Sequence, residues 1–254
     1  MRLILLSVTS FATSVVAGML GLGGAVLLIP AYLYLPRLFG IPPLDVKSVS
    51  GMTSVQVLAS ALVGMWSHKR QGCVDSRLAL RMGIPSAAAS FGGAMVSKVV
   101  HPDAIVGTFA SMAILGAVLM VTKREAAEGV GPPAYSVGAA VSIAIGVGFF
   151  GGMVGAPGAF LLSPLIMIVL KIPTRVAIGT TLGIVFFSAL AASAGKIFTG
   201  QVPLLETTIA VAAALPGVYL GSRFSYLCSP HALRWAIAAV ILGVGAQMWY
   251  QILF

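Results

Sequence analysis

The residues of this chain best suited to bind a solute are glycines in two matching motifs. The motif GMLGLGGAVLLIP at residues 18–30 returns as GMVGAPGAFLLSP at residues 152–164, with eight of thirteen positions identical. Glycine permits tight turns and close approach to the backbone. We expect each motif to break a helix, at residues 21–24 (the first break) and at residues 155–158 (the second break). A helix that begins after such a break has unpaired N–H groups and about half a positive charge, which suits an anion.

Two pairs of hydroxyl residues belong to the same repeat, because Thr53 and Ser54 align with Thr180 and Thr181. Each pair lies about six residues into its helix, roughly 9 Å deep by helical rise. Hydroxyls at that depth donate to a bound oxyanion, or they bond back to the preceding turn of their own helix. The glycines likewise have an alternative role, which is close helix packing through small residues. The candidate binding residues are Gly21, Gly23, Gly24, Thr53, Ser54, Gly155, Gly158, Thr180 and Thr181.

Charged residues are sparse and stand at the ends of apolar segments. Lys47 and Arg175 lie near the mouths of the two hydroxyl-bearing helices, where they could attract anions or anchor the helices at the lipid headgroups. All six acidic residues and all three histidines occupy segment ends as well. No metal-ligand set, nucleophile–base set or phosphate-binding GxxxxGK[ST] loop is present in the sequence. We therefore expect no catalytic residues, no metal, no cofactor and no enzymatic activity.

Composition identifies the environment of these segments. The chain has 254 residues, of which 59% are hydrophobic and 8% charged, and its mean hydropathy is +1.04. Soluble domains carry about 25% charged residues, so most of this surface must face lipid. Backbone groups in lipid must pair within their own segment, which predicts an all-α polytopic membrane protein. The apolar run that follows Arg2 leads without interruption into the first glycine motif, so we expect a membrane segment there and not a cleaved leader.

Ten apolar segments divide equally between two halves. The second segment of each half is too short for a full span, which needs about 20 residues; it forms either a re-entrant hairpin or a broken span with its neighbour. We expect a first membrane repeat at 1–122, a cytoplasmic linker at 123–133 and a second membrane repeat at 134–254. The predicted segments are 3–20, 24–38, 48–67, 78–99, 103–122, 135–153, 158–170, 175–198, 206–226 and 231–253.

Five segments per half place the start of the second half on the opposite side of the bilayer, so the repeats should be inverted. The breaks would then face each other at mid-membrane. Cytoplasmic segment ends carry more Lys and Arg than outer ends. With both termini outside, the cytoplasmic ends hold ten basic residues and the outer ends five, namely Arg2, Arg37, Lys47, Lys98 and Lys196. The net charge of +9 therefore reflects topology, and no nucleic-acid partner is expected.

The two glycine motifs, the hydroxyl pairs near Thr53 and Thr180, and the sequence HKRQG at residues 68–72 resemble the TauE/SafE family of sulfite-exporter-like permeases. The resemblance covers almost the whole chain. It implies a multi-pass permease of a bacterial-type inner membrane that moves sulfur oxyanions or organosulfonates, usually outward. Two departures from the family pattern are Ala25 after Gly24, and Pro157, which removes one backbone donor from the second break.

The sequence thus predicts a secondary transporter, most simply an exporter, for a small sulfur-containing anion such as sulfite, thiosulfate or an organosulfonate. The alternatives are a permease or channel for another anion or solute, and a membrane-embedded enzyme or assembly factor. The expected partners are the anionic substrate, the lipid bilayer and, for assembly, a second copy of the chain in a homodimer.

Overall fold

The computed structural model describes residues 1–20, 25–70, 72–122, 136–156, 158–225 and 230–253. Within these ranges the chain forms ten α-helices and no strand. The bounds predicted from hydropathy differ from those of the helices by at most three residues. The helices are α1 (Arg2–Leu20), α2 (Ala25–Leu38), α3 (Val46–Lys69), α4 (Ser76–Val96), α5 (Pro102–Thr122), α6 (Val137–Val154), α7 (Ala159–Val169), α8 (Thr174–Phe198), α9 (Leu204–Ser225) and α10 (Pro230–Leu253). The predicted linker at 123–133 lies outside the described residues.

Local sequence explains where two of the central helices begin. Asp45 precedes α3, and its carboxylate accepts hydrogen bonds from the N–H groups of Lys47 and Ser48. Asp75 caps α4 in the same way. An aspartate at this position satisfies N–H groups that the helix leaves without partners. Two of the few acidic side chains are thereby committed to helix ends.

Length separates two kinds of helix. Six of the described helices are long and apolar enough to cross a membrane, namely α1, α3, α5, α6, α8 and α9. By contrast α2 has 14 residues and α7 has 11, or about 21 and 17 Å at the usual helical rise. These are the short second segments expected in each half. Pro30 and Pro164, which close the two glycine motifs, lie inside α2 and α7 and do not end them.

The two repeats are interleaved. Helix α1 packs mainly on α9, and its counterpart α6 packs on α4, the counterpart of α9. The central pairs α3–α8 and α5–α10 each join equivalent helices. If each helix is replaced by its counterpart in the other repeat, the α1–α9 contact becomes the α6–α4 contact, and the α3–α8 and α5–α10 contacts stay the same. This is the packing expected of a duplicated chain, while the inverted orientation of the repeats stays a prediction.

Small residues bring the backbones of these pairs close together. On α6, a Cβ added to Gly152 would overlap the carbonyl oxygen of Ser90 in α4. A similar close contact in the other pair is formed by Gly221 of α9, where a Cβ would overlap the carbonyl oxygen of Val15 in α1. Ser90 and Gly221 are the residues that the repeat aligns. Close approach through small residues is a common basis of helix association in lipid, and here it joins the two repeats.

Candidate functional site

The second break is a four-residue turn between α6 and α7. Gly155 and Gly158 have φ values of 80° and 70°, in the left-handed region that residues with a Cβ rarely adopt. The N–H groups of Gly155 and Ala156 both donate to the carbonyl oxygen of Gly151, and these hydrogen bonds close the last turn of α6. Helix α7 then begins at Ala159 with Gly158 as its N-cap, and no side chain among the described residues caps it. The N–H groups of Leu161 and Leu162 donate to the carbonyl oxygen of Gly158, so the N–H groups of Ala159 and Phe160 are those that an anion could use at this terminus.

The first repeat supplies the side chains that hold this turn. The Thr53 hydroxyl is placed to donate a hydrogen bond to the carbonyl oxygen of Gly155, at 3.0 Å. It also lies 2.9 and 3.1 Å from the carbonyl oxygens of Val49 and Ser50 in its own helix α3. The Ser50 hydroxyl donates to the carbonyl oxygen of Met153 at 3.5 Å. A Cβ on Gly155 would overlap the carbonyl oxygen of Ser50. Helix α3 and the second break thus fit together without space for a larger residue.

The other predicted hydroxyls have different surroundings. Ser54 donates to the Ser50 carbonyl oxygen, so its hydroxyl bonds to the preceding turn of its own helix. Thr180 accepts a hydrogen bond from the N–H of Asp75 in the α3–α4 connection. Thr181 is fully buried, and its hydroxyl has no hydrogen-bond partner among the described residues.

Thr53 and Thr180 do not share one pocket. Thr53 lies eleven residues before Gly64 in α3, which is about 17 Å of helix. Gly64 packs against Leu182 in α8, two residues beyond Thr180. The two threonines are therefore about 20 Å apart along the bundle. The two hydroxyl pairs therefore lie toward opposite ends of the α3–α8 pair, too far apart to bind one small anion together.

The depth of the second break also differs from the expectation. Gly155 follows α6, whose 18 residues are long enough to cross a membrane, and it contacts Ser50 and Thr53 near the start of α3, so this turn lies near one end of the bundle. Helix α1 runs parallel to α9, because Arg2 pairs with Glu206 at 3.8 Å at the start of both helices, while Gly18 lies against Val218 farther along both. The end of α1, where the first break follows, is thus at the opposite end of the bundle from the start of α9.

Three predicted residues, Gly21, Gly23 and Gly24, lie outside the described residues, as does the side chain of Arg175. Lys47 is half-buried, and its Nζ donates to the carbonyl oxygen of Lys98 at the end of α4, at 2.6 Å. It therefore stands at the same end of the bundle as the second break.

Sequence reasoning overlooked Lys196. It was counted among the outer-end charges, yet its side chain is fully buried. Its Nζ lies 3.0 Å from the carbonyl oxygen of Met153, two residues before Gly155. The available signal was that Ile197 and Phe198 continue the apolar segment beyond this lysine.

His68 is the one described histidine that is buried. It follows the candidate span of α3, which ends at Trp66. Burial lowers the pKa of its imidazole to about 4, so this side chain is neutral at pH 7. The described residues contain no group of three or more His, Cys, Asp or Glu side chains that could hold a metal.

A cavity of about 660 Å³ lies beside the second break, between α5, α6, α7 and α10. Its walls are mostly apolar and include Val147, Leu161 and Trp249. The hydroxyls of Thr108 and Ser111 in its wall donate to carbonyl oxygens of their own helix. A Cβ on Gly158 would overlap the side chain of Val147, so this wall of the cavity lies against the turn. The cavity is suited to hydrocarbon and not to an anion.

Replacing Thr53 with valine should destabilise the protein by about 1–2 kcal/mol, because the buried Gly155 carbonyl loses its donor while side-chain shape is kept. Thermal unfolding in detergent measures the loss. Thr53→Ser retains the hydroxyl and should unfold close to the wild-type temperature, and Ser54→Ala should cost less. If Thr53→Val is as stable as the wild type, the hydroxyl serves only its own helix.

These features define a multi-pass helical membrane protein with two short helices, one of which, α7, follows a glycine turn; helices of this kind are known among secondary transporters. The profile of the TauE/SafE sulfite exporter family matches residues 6–248. The chain therefore belongs to this family of membrane transporters.

Relatives with similar length support the assignment. The chain is 25% identical to the probable membrane transporter protein YunE of Bacillus subtilis over all of both chains. It is 26% identical to the probable membrane transporter protein YdhB of the same species, covering 92% of this chain and 94% of the relative. The probable membrane transporter protein MJ0441 of Methanocaldococcus jannaschii is 23% identical, with 96% and 94% covered. No solved structure gives a significant match.

Proposed function

We propose that this transporter moves a small sulfur-containing anion, such as sulfite, thiosulfate or an organosulfonate, outward across a cell inner membrane, with both termini outside and no chemical turnover. The family described as sulfite exporters supplies the solute class. The observation that carries the choice of an anion is the start of α7, an uncapped helix N-terminus turned by two left-handed glycines. Such a terminus attracts negative charge.

The anion site is proposed at the second break. The first N–H groups of α7, exposed by the turn at Gly155 and Gly158, would donate to the anion, and Thr53 would keep the turn in place. Lys47, at the same end of the bundle, would attract the anion from the aqueous side. The equivalent elements of the other repeat, Gly21, Gly23, Gly24, Thr180 and Thr181, would form a second anion position at the opposite end. Ser54 would then support α3 beside the first position.

The positions of the acidic residues favour an anion over a cation. In the described part of the chain, Asp45 and Asp75 cap helices, Asp103 pairs with His101, and Glu206 pairs with Arg2. None of these carboxylates is deep inside a candidate span, where proton-coupled carriers commonly place one. An inside-negative potential supplies about 2.3 kcal/mol per charge per 100 mV. The potential alone therefore suffices to expel anions.

Purified protein in liposomes tests this function. We expect sulfite, thiosulfate or an organosulfonate to flow faster when a potassium–valinomycin gradient makes the source compartment negative. Protein-free liposomes are the control, and phosphate, chloride and a neutral solute test selectivity. A flux that ignores voltage and requires a pH gradient would contradict the mechanism, and transport of the neutral solute alone would contradict the solute class.

A further inference from the structure

We propose that Lys196 is the cationic residue of the anion site and that the transported anion is its counter-ion, which no carboxylate in the described part of the chain provides. The inference rests on the proposed function, because it assigns a charge partner to the same site at the second break. It goes beyond that function by identifying the buried positive charge that balances the negative charge of the substrate.

The side chain of Lys196 is fully buried near the end of α8, among groups from three other parts of the chain. Its Nζ lies 2.6 Å from the hydroxyl oxygen of Ser97, 3.0 Å from the carbonyl oxygen of Met153 and 3.2 Å from Oε1 of Gln201. All three groups are formally neutral. They orient the lysine but do not neutralise its charge.

The groups around Nζ of Lys196 are arranged as hydrogen-bond acceptors, which suits the ammonium form of this side chain. The Met153 carbonyl can only accept. Gln201 donates through Nε2 to Thr199, which turns its oxygen toward the lysine. The Ser97 hydroxyl is placed to donate to the Ala94 carbonyl, so it accepts from Nζ. Three acceptors require three donors, which an ammonium has and a neutral amine does not.

No carboxylate in the described part of the chain lies within ion-pair distance of this ammonium. The described acids have other roles, since Asp45 and Asp75 cap helices while Asp103 and Glu206 pair with His101 and Arg2. The carbonyl end of α6 offsets part of the charge, because a helix C-terminus carries about half a negative charge. A buried ion without an opposite charge is costly in a protein and more so in a membrane.

The position of the lysine indicates what completes the charge balance. The Met153 carbonyl that binds Lys196 also accepts from Ser50, and it lies two residues before Gly155. Lys47 bonds to the carbonyl of Lys98, the residue after Ser97. Both lysines therefore stand at the end of the bundle that contains the second break. An anion at the break would approach Lys47 first and then the buried ammonium.

Three variants test the proposal against a merely structural role. Lys196→Gln removes the charge, and Lys196→Arg keeps it. Gln201→Glu is nearly isosteric and gives Lys196 a built-in carboxylate. The matched control is Lys69→Gln, because Lys69 occupies the equivalent position of the first repeat and is exposed. Binding is measured as the rise in unfolding temperature of the purified protein on titration with thiosulfate, sulfite, isethionate, phosphate or chloride, with gluconate as the reference anion.

We expect Lys196→Gln and Gln201→Glu each to weaken anion affinity at least tenfold, while Lys196→Arg stays within about threefold of the wild type and Lys69→Gln binds normally. Gln201→Glu should also unfold at a higher temperature without anion, since it satisfies the charge internally. The Gln201→Glu variant therefore tests the role of Lys196 even if Lys196→Gln fails to fold. Unchanged affinity in Gln201→Glu would overturn the role of Lys196.

The wild-type protein separates this inference from the proposed function. If it binds thiosulfate or sulfite and Gln201→Glu binds them equally well, the inference fails and the function stands. If it binds phosphate or chloride but no sulfur anion, and Gln201→Glu weakens that binding, the solute assignment fails and Lys196 remains the anion-binding residue. If the wild type binds no anion, both are wrong.

Discussion

Gly152→Val should leave little folded protein, whereas Gly146→Val in the same helix should accumulate like the wild type. The two glycines are six residues apart in α6. A Cβ at Gly152 would overlap backbone atoms of Ser90 in α4, while a Cβ at Gly146 meets nothing within 4 Å. Backbone atoms cannot rotate out of the way as a side chain can. Overpacking a well-filled site costs about 3 kcal/mol, and this site joins two of the closely packed helices.

Size-exclusion chromatography of a fluorescent fusion in mild detergent measures the difference. The wild type and Gly146→Val should each give one sharp peak, and Gly152→Val should give aggregate. Gly152→Ala, with a smaller side chain, should fall between them in thermal stability. A sharp peak of normal height for Gly152→Val would show that the α4–α6 contact is looser than described here.

Gly155→Ala should abolish voltage-driven anion flux. The substitution combines two effects, since Gly155 has a φ of 80° and its Cβ would overlap the carbonyl oxygen of Ser50. A left-handed conformation costs a residue with a Cβ about 1–2 kcal/mol. The overlap must in addition move α3 away from the turn. That displacement breaks the Thr53 bond and changes the direction of the first N–H groups of α7.

Gly40→Ala is the matched control, because Gly40 has a φ of 66° and open space around its Cβ position. It carries the conformational cost without the overlap, so its flux in liposomes should equal that of the wild type. Chromatography establishes that Gly155→Ala is folded before its flux is measured. Normal flux in folded Gly155→Ala would remove the second break from the transport path.

The fold was largely predictable because a helix that crosses lipid must meet two simple requirements, of length and of backbone hydrogen bonding. A span needs about 20 apolar residues with internally paired backbone groups, so hydropathy alone located all ten helices to within three residues. The shortness of α2 and α7 was also evident. Asp45 and Asp75 occupy positions where an N-cap is common. Ser90 and Gly221, which the repeat aligns, each lie at a close contact between two helices.

Contacts between distant segments were not predictable in the same way. Thr53 and Thr180 each lie about six residues from the start of their helices, α3 and α8. Because these two helices run antiparallel, their starts lie at opposite ends of the bundle. The same distance from each start therefore places the two threonines far apart. Lys196 was read as an interfacial charge because it is near a helix end. Its burial depends on Ser97 and Gln201, which reach it only through the packing of α4 and the α8–α9 connection.

The pairing of α1 with α9 and of α6 with α4 bears on how such a chain could arise. Neither half has a free-standing interior, since the first helix of each is covered by the fourth helix of the other. A gene encoding only one half would have produced a stable product only as two identical polypeptides assembled together. Fusion of two such genes would then have preserved an existing assembly and allowed the two halves to change independently. Lys196 is now buried, whereas Lys69, the lysine at the equivalent position of the first repeat, is exposed.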